Sequence, residues 1–440
     1  MTPRLVGRTA ASRATVVLVL AAGACGPRNS NPESMRGERS AHLLADGSGG
    51  VNQKRYDDAP YVVLISIDGF RHDYLDLFDV PNLRRIVDGG VRAEAMIPVF
   101  PLKTFPNHYS IATGMYPARH GLINNRFYDP ERDESYFFLD RDKVADGTWY
   151  GGEPLWVLAE QRGMVSAAFF WVGTEADVRG VRPTHWRDFD GSVPNSDRVD
   201  QVLAWLTEPV RVRPHMLTLY FEDVDQVGHR SAPESPEMTE AVRSIDSAIG
   251  RLLDGIATLP YGDQVYVVVV SDHGMAAFGP DRVYYLEDFM DLETVRLTDA
   301  GAVAFMYLDG SARERTDLRD RLAEAMPRAA VYTLDEVPER LHYAGGRRLG
   351  DVIIVPELGW MVADRRSRNI QPGWTHGWDP AEKAMHSVFL AMGPGIEPGK
   401  TIPPFENIHI YPWIAGLLGL EPSEPIDGDP AVLGGLVRFP

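Results

Sequence analysis

The sequence predicts an α/β fold with a mostly parallel sheet and helices on both of its faces. From Tyr61 onward, short apolar runs alternate with helical patterns, which is typical of repeated βα units. Three of the apolar runs are closely followed by Asp or His: Tyr61–Ile67, Met216–Phe221 and Val265–Val270. Because the ligand site of an open α/β sheet lies beyond the carboxyl ends of its strands, these three ends are expected to converge. A hydrolytic metal centre is therefore the first functional hypothesis.

Local patterns predict the other elements. Residues 237–259 indicate an amphipathic helix, with apolar residues at helical spacing, and residues 387–392 indicate a buried strand. Looser runs that indicate strand, helix, strand and strand lie at 302–308, 312–325, 330–334 and 351–356. We interpret residues 280–372 as a small α+β subdomain inserted into a catalytic domain of residues 58–440. The alternative is that this segment extends the main sheet.

Composition limits the classes of partner. The chain has 440 residues, 44% of them hydrophobic, which is enough for one large α/β domain or two of ordinary size. Its net charge is −18, with no long cluster of Lys and Arg, which argues against a surface for duplex nucleic acid. A small phosphate substrate is compatible with this charge, because bound divalent ions can dominate the local field.

The N-terminus predicts export. Three arginines precede the apolar run 14–22, and small residues lead to Cys25, the single cysteine, so residues 1–25 are typical of a signal peptide. The run is shorter than the roughly 20 residues of a transmembrane helix. Residues 22–25 (AGAC) resemble a bacterial lipoprotein cleavage site, which implies a lipid anchor on Cys25 at the periplasmic or cell surface. The alternative is a plain secretory signal with an incidental cysteine. Residues 26–57 indicate a flexible tether.

Thr104 is a candidate nucleophile. Pro106 is suited to a first helical turn, and we expect a helix from there to Gly114. Thr104 would then lie at a helix N-terminus, where backbone N–H groups and the helix dipole favour anions. A hydroxyl ligated to a metal there can become an alkoxide nucleophile at neutral pH. The alternative is that Thr104 only caps the helix.

Several motifs occur in a fixed order along the chain. They are residues 65–71 (ISIDGFR), 103–114 (KTFPNHYSIATG), 116–121 (YPARHG), 271–275 (SDHGM) and 375–377 (THG). Together they resemble the nucleotide pyrophosphatase/phosphodiesterase family, or type I phosphodiesterases, of the alkaline phosphatase superfamily. The resemblance covers nearly everything from Tyr61 to about Leu420 and implies an alkaline-phosphatase-like fold.

The resemblance also implies a di-zinc centre. The ligands would be Asp68, Thr104, Asp272 and His273 for one ion, and Asp225, His229 and His376 for the other. Imidazole and carboxylate ligands without thiolate suit Zn²⁺, although other divalent metals could occupy them. Thr104 would attack phosphorus and form a phospho-threonine intermediate, which water then hydrolyses. Val224 stands where the family usually has Pro, but the spacing from Asp225 to His229 is intact.

The substrate site is implied by three further residues. Asn125 matches the family residue that donates to a non-bridging phosphate oxygen, and a neutral donor suits a diester. One alternative is that Asn125 is only a turn residue. Another is that Lys103 or Arg126 places a cation at the phosphate. Phe105 and a second aromatic would stack on a nucleobase. Phe189 is the first choice for that aromatic and Trp186 the second, with packing of Phe189 into the core as the alternative.

The sequence therefore predicts an exported enzyme, a hydrolase acting on phosphodiester or pyrophosphate bonds of small nucleotides. Three alternatives keep the metal site and change the substrate: a phosphomonoesterase, a lipid-headgroup phosphodiesterase and a phosphonate hydrolase. An alternative of another class is a catalytically inactive surface protein that binds partners. The oligomeric state stays open.

Overall fold

The computed structural model describes residues 50–346, 348–365 and 373–437. The predicted signal peptide with Cys25 lies outside the described residues, as does the tether as far as residue 49. None of the helices in the described ranges combines the length and the apolar character that a bilayer crossing requires.

The described strands vary from two to seven residues in length. They are β1 (Tyr61–Ile67), β2 (Val91–Ala93), β3 (Met96–Ile97), β4 (Arg126–Asp129), β5 (Glu134–Phe137), β6 (Ser166–Phe169), β7 (Met216–Phe221), β8 (Val265–Val270), β9 (Ala276–Phe278), β10 (Val283–Tyr285), β11 (Arg296–Asp299), β12 (Ala304–Tyr307), β13 (Ala329–Thr333), β14 (Val352–Pro356), β15 (Met361–Ala363), β16 (Gly373–Thr375), β17 (Phe389–Met392), β18 (Lys400–Ile402) and β19 (Phe405–Glu406).

The described α-helices vary from four to 22 residues. They are α1 (Tyr74–Leu77), α2 (Pro81–Asp88), α3 (Thr104–Thr113), α4 (Pro117–His120), α5 (Arg141–Ala145), α6 (Leu155–Gln161), α7 (Asn195–Leu206), α8 (Asp223–Gly228), α9 (Pro236–Ala257), α10 (Ala312–Ala325), α11 (Ile410–Leu417) and α12 (Pro430–Gly434).

A seven-stranded sheet forms the centre of the fold, in the order β18-β2-β17-β8-β1-β7-β6. Only β17 runs antiparallel to its two neighbours in this sheet, so the prediction of a mostly parallel sheet is confirmed. Strands β1 and β8 are buried along their whole length, which explains why their sequences are continuous apolar runs rather than alternating ones.

Helices cover both faces of the sheet, as predicted. Side chains alternate along β1, so Val63 and Ile65 join one apolar cluster while Val62 and Leu64 join another. The first cluster contains apolar residues of α2, α7 and α9, and the second contains those of α3, α6 and α11. The carboxyl ends of the central strands are thereby held between two helical layers.

Helix α3 begins two residues earlier than the sequence predicted. Lys103 is its extended N-cap, Thr104 is its first residue, and Pro106 lies in the first turn, where a missing N–H is tolerated. The helix ends where Gly114 adopts a left-handed conformation with φ of 67°. Thr104 therefore does lie at the helix N-terminus.

The segment after β10 contains a second sheet, with the order β11-β12-β14-β13 and antiparallel pairing. Helix α10 packs on it through Leu318 and Leu322, which share an apolar cluster with Val352 and Ile354. The strands form a sheet of their own and do not extend the main sheet. Strand β11 ends at Asp299.

A buried carboxyl group joins α6 to β6. Glu160 Oε1 accepts hydrogen bonds from Ser166 N, Ser166 Oγ and Thr184 N, and Oε2 accepts one from Thr184 Oγ1. Burial raises the pKa of Glu160 to about 7, against the lowering effect of these hydrogen bonds. The folded chain therefore binds this proton more tightly than the unfolded chain.

Glu160→Gln should flatten part of the pH dependence of stability. The contribution of Glu160 is fully present below its unfolded pKa and is lost as the pH rises through about 7. From about pH 5 to about pH 8, the wild type should lose about 2–3 kcal/mol more unfolding free energy than the variant. Urea denaturation at several pH values measures this, with the exposed Glu324→Gln as control. Parallel pH profiles of wild type and Glu160→Gln would contradict it.

Candidate metal centre and active site

Three carboxylates lie at the carboxyl ends of three neighbouring strands. Asp68 directly follows β1, Asp272 follows β8, and Asp225 lies in α8 immediately after β7. Because β8, β1 and β7 are adjacent in the main sheet, the three side chains converge, as the sequence predicted.

The first group of candidate ligands surrounds His273. Its Nε2 lies 3.0 Å from Asp272 Oδ2 and 3.5 Å from Asp68 Oδ1. Thr104 Oγ1 lies 3.5 Å from the same nitrogen. The four residues expected to hold one ion are therefore brought together.

The second group surrounds Asp225. Its Oδ1 lies 3.4 Å from His229 Nε2 and 4.0 Å from His376 Nε2, and one potential ligand atom from each residue lies within 4.8 Å of the others. The rings of His376 and His273 stack with centroids 3.5 Å apart, so the two groups adjoin. Asp225 also groups with Asp68 and His273 within the same limit.

The histidines are oriented as metal ligands require. The Nδ1 atoms of His229, His273 and His376 face backbone carbonyls of Trp374, Gly274 and Leu102 at 3.1, 3.0 and 2.7 Å. A carbonyl only accepts, so each Nδ1 donates its proton there, and the Nε2 atom of each ring is left directed at the carboxylates. Such an outer hydrogen bond typically fixes the tautomer of a metal-bound histidine.

The carboxylates fit a bound cation. Within the described ranges, Asp68 Oδ1, Asp225 Oδ1 and Asp272 Oδ2 are buried atoms that accept no hydrogen bond. Unsatisfied buried oxygens are costly and rare in native proteins. Burial, with the charges of Asp272 and Asp225, raises the pKa of Asp68 well above its ordinary value. Divalent cations would satisfy these oxygens and offset the repulsion.

Two further residues support this cluster, the half-buried Tyr220 and the buried His108. Tyr220 donates from its hydroxyl to Asp68 Oδ2 at 2.6 Å. His108 Nδ1 lies 2.9 Å from the carbonyl of Thr104 and 3.4 Å from Asp272 Oδ2. The available signals were the position of His108 one helical turn after Thr104, and a tyrosine at the end of an apolar strand.

Asn125 lies beside the candidate nucleophile. Its Oδ1 accepts a hydrogen bond of 2.9 Å from the N–H of Phe105. This orients the amide so that Nδ2 remains as the donor. The half-buried ring of Phe105 packs edge-on against Phe138, with centroids 5.5 Å apart.

Phe189 is 40% exposed, so the alternative that it packs into the core is wrong. Its ring contacts Phe170 and Tyr220 edge-on, with centroids 5.1 and 5.9 Å away. Tyr220 also donates a hydrogen bond to Asp68, so the side chain of Tyr220 lies between Phe189 and Asp68. Trp186, the second choice, is half-buried, and the Arg182 guanidinium lies 5.2 Å from its ring centroid.

A carboxylate holds the Phe189 loop in place. Glu175 Oε1 accepts a hydrogen bond of 3.1 Å from the N–H of Phe189, and Oε2 pairs with Arg141. Arg141 also lies 3.8 Å from Asp188. Arg141 is the first residue of α5 and lies three residues after Phe138, which packs against Phe105. The ion pair between Glu175 and Arg141 therefore links the Phe105 side of the site to the Phe189 side.

Comparisons with known proteins show the family of the chain. Residues 62–379 match the family model of type I phosphodiesterases / nucleotide pyrophosphatases. A venom phosphodiesterase of Crotalus durissus collilineatus is 34% identical over 395 residues, covering 88% of this chain and 47% of the venom protein. An uncharacterized pyrophosphatase/phosphodiesterase of Schizosaccharomyces pombe is 33% identical, covering 83% of this chain and 78% of its own. The chain thus spans about half the length of the venom relative.

Solved structures show the same fold. Human ectonucleotide pyrophosphatase/phosphodiesterase 5 superimposes with a TM-score of 0.80 at 30% identity, covering 86% of this chain and all of that one. The murine protein was solved as an inactive threonine-to-alanine variant in complex with AMP. It superimposes with the same TM-score, identity and coverage as the human protein. The resemblance seen in the motifs is confirmed, as is the alkaline-phosphatase-like α/β fold. The chain therefore belongs to the type I phosphodiesterase / nucleotide pyrophosphatase family, whose members are hydrolases.

Proposed function

We propose that this protein is a di-zinc hydrolase that cleaves phosphodiester or pyrophosphate bonds of nucleotides through a phospho-threonine intermediate. The observation that carries the proposal is the convergence of three hydrogen-bond-free carboxylate oxygens and three oriented imidazoles beside the Thr104 hydroxyl. The AMP complex of the murine relative supports a nucleotide substrate.

The proposed metal ligands divide as the sequence implied. Asp68, Thr104, Asp272 and His273 would hold one ion, and Asp225, His229 and His376 the other. When bound, such ions lower the pKa of a ligated hydroxyl and stabilise charge on the attacking and leaving oxygens. The donor set of oxygen and imidazole nitrogen suits Zn²⁺.

Thr104 is the proposed nucleophile. Its hydroxyl lies at the N-terminus of α3, where the helix dipole favours a developing negative charge. Oγ1 would form a bond to phosphorus while the bond to the leaving oxygen breaks, and water would then release the phosphoryl group from the threonine. His108 and the Asn125–Phe105 hydrogen bond would hold the first turn of the helix during both steps.

Asn125 and the two phenylalanines would bind the substrate. The Nδ2 of Asn125 would donate to a non-bridging phosphate oxygen, which adds no charge to the site and suits a singly charged diester. Phe105 and Phe189 would present aromatic faces to the nucleobase. Stacking of this kind tolerates many bases, so we propose a broad base preference.

Phe189→Ala should lower kcat/KM for nucleotide substrates by about 10–100-fold, because stacking is worth about 1–3 kcal/mol per base. Thymidine 5′-p-nitrophenyl phosphate and methyl p-nitrophenyl phosphate share a leaving group, and only the first carries a base. The loss should be confined to the first substrate. Val432→Ala, at a residue that is 44% exposed in α12, serves as control. An equal loss on both substrates would contradict base stacking.

We also propose that the protein is exported, with a lipid on Cys25 and the catalytic domain held at the membrane surface by the tether. The support is the basic, apolar and small-residue order of residues 1–25. Mass spectrometry of the mature protein purified from its membrane fraction would test this. A mature N-terminus other than a lipid-modified Cys25 would contradict it.

Product analysis tests the proposed activity. Zinc-loaded protein incubated with ATP should release AMP and pyrophosphate, as followed by ³¹P NMR. Release of ADP and phosphate would instead indicate a phosphomonoesterase. Absence of turnover with zinc bound would favour an inactive binding protein, and hydrolysis of only phosphocholine-type or phosphonate substrates would indicate the other two alternatives.

A further inference from the structure

Asp299 connects the small antiparallel sheet to the candidate site. Asp299, the last residue of β11, accepts a hydrogen bond of 3.1 Å from Asn124 Nδ2 at Oδ2. The same oxygen lies 3.5 Å from Lys103 Nζ. Asn124 directly precedes Asn125 in the sequence, and Lys103 directly precedes Thr104.

A continuous set of hydrogen bonds connects Asp299 to the nucleophile segment. Asn124 Oδ1 accepts a hydrogen bond of 2.7 Å from the N–H of Asn125. Asn125 Oδ1 in turn accepts the hydrogen bond from Phe105 N–H, next to Thr104. Asp299 therefore helps to determine where the phosphate-binding amide points.

Lys103 carries a cation close to the candidate site. Its side chain is 13% exposed and contacts Gly377, where an added Cβ would lie 3.3 Å from Nζ. Gly377 directly follows His376 in the sequence, so the ammonium lies beside the candidate metal cluster.

We propose that Asp299 is a specificity-determining residue that pairs with Lys103 and so keeps an extra positive charge away from the phosphate. A diester carries one negative charge, whereas a monoester carries nearly two above its second pKa of about 6. A free lysine ammonium beside the phosphate attracts the second charge and favours monoesters. The Asp299–Lys103 pair therefore favours diesters. This inference rests on the proposed phosphodiesterase function.

Asp299→Asn tests the inference, because the amide oxygen can still accept from Asn124 while the negative charge is lost. The measured quantity is kcat/KM for p-nitrophenyl phosphate divided by kcat/KM for bis-p-nitrophenyl phosphate, at about pH 8, where the monoester is a dianion. We expect this ratio to rise about tenfold, with the diester rate changed less. Asp299→Asn combined with Lys103→Met should remove the rise.

Lys103→Met alone should move the ratio in the opposite direction, because the unpaired Asp299 repels the dianion more than the monoanion. Asp317→Asn, an exposed change on α10 of the same segment, should leave the ratio as in the wild type. An unchanged ratio in folded, zinc-loaded Asp299→Asn, or an equal rise in the double variant, overturns the inference. If Asp299→Asn does not fold, an unchanged ratio in Lys103→Met overturns it. A wild type without diester hydrolysis instead contradicts the proposed function.

Discussion

Thr104→Ala is expected to lower kcat for diester hydrolysis by roughly 10³-fold or more, because it removes the oxygen that we propose attacks phosphorus. The zinc content should remain close to that of the wild type, since Asp68, Asp272 and His273 still surround the first site. Steady-state kinetics together with elemental analysis of the same samples measures both quantities.

Thr104→Ser is the matched control, because it keeps a hydroxyl at the same position and should retain a measurable part of the activity. Acid quenching during turnover of a diester should trap a phosphodiester, with one substrate ester group retained, on residue 104 in the wild type and none there in Thr104→Ala. An alanine variant with near wild-type kcat would show that water attacks the substrate directly. That result would exclude the phospho-threonine intermediate while leaving the metal centre in place.

Zinc stoichiometry should separate the two proposed sites. The wild type is expected to bind two ions per chain, and Asp272→Ala and Asp225→Ala should each retain about one, with kcat lowered by at least about 10²-fold. Each substitution removes an oxygen that otherwise accepts no hydrogen bond. Elemental analysis after dialysis against a weak chelator gives the count.

Asp317→Ala, at an exposed position of α10, is the control for removal of a carboxylate and should keep both ions. Two tightly bound ions in both site variants would contradict the proposed division of ligands. One ion in the wild type would contradict the di-zinc centre.

The positions of the carboxylates in the candidate metal centre were predictable because the rules behind them are local. Asp68 and Asp272 closely follow continuous apolar runs, and buried parallel strands have that composition. The carboxyl ends of parallel strands lie at one edge of the sheet whatever the order of the strands. The adjacency of β8, β1 and β7 in the structure then brings the side chains within ligand distance of one another.

The supporting residues were harder to predict because they depend on packing between distant segments. Asp299 meets Asn124 across 175 positions of sequence, and its approach depends on how a separate antiparallel sheet docks. Hydrophobicity also does not distinguish an exposed aromatic such as Phe189 from a core residue. Only the fold shows that its backbone N–H is held by Glu175 and its ring is left partly exposed.

The most direct test of the account is steady-state hydrolysis of bis-p-nitrophenyl phosphate and p-nitrophenyl phosphate by zinc-loaded wild type and Thr104→Ala. The two substrates release the same leaving group, so the comparison reports the preference for diester over monoester. We expect a clear diester preference in the wild type and loss of that activity in the variant. A monoester preference would contradict the substrate class, and no turnover of either substrate with zinc bound would contradict the enzyme assignment.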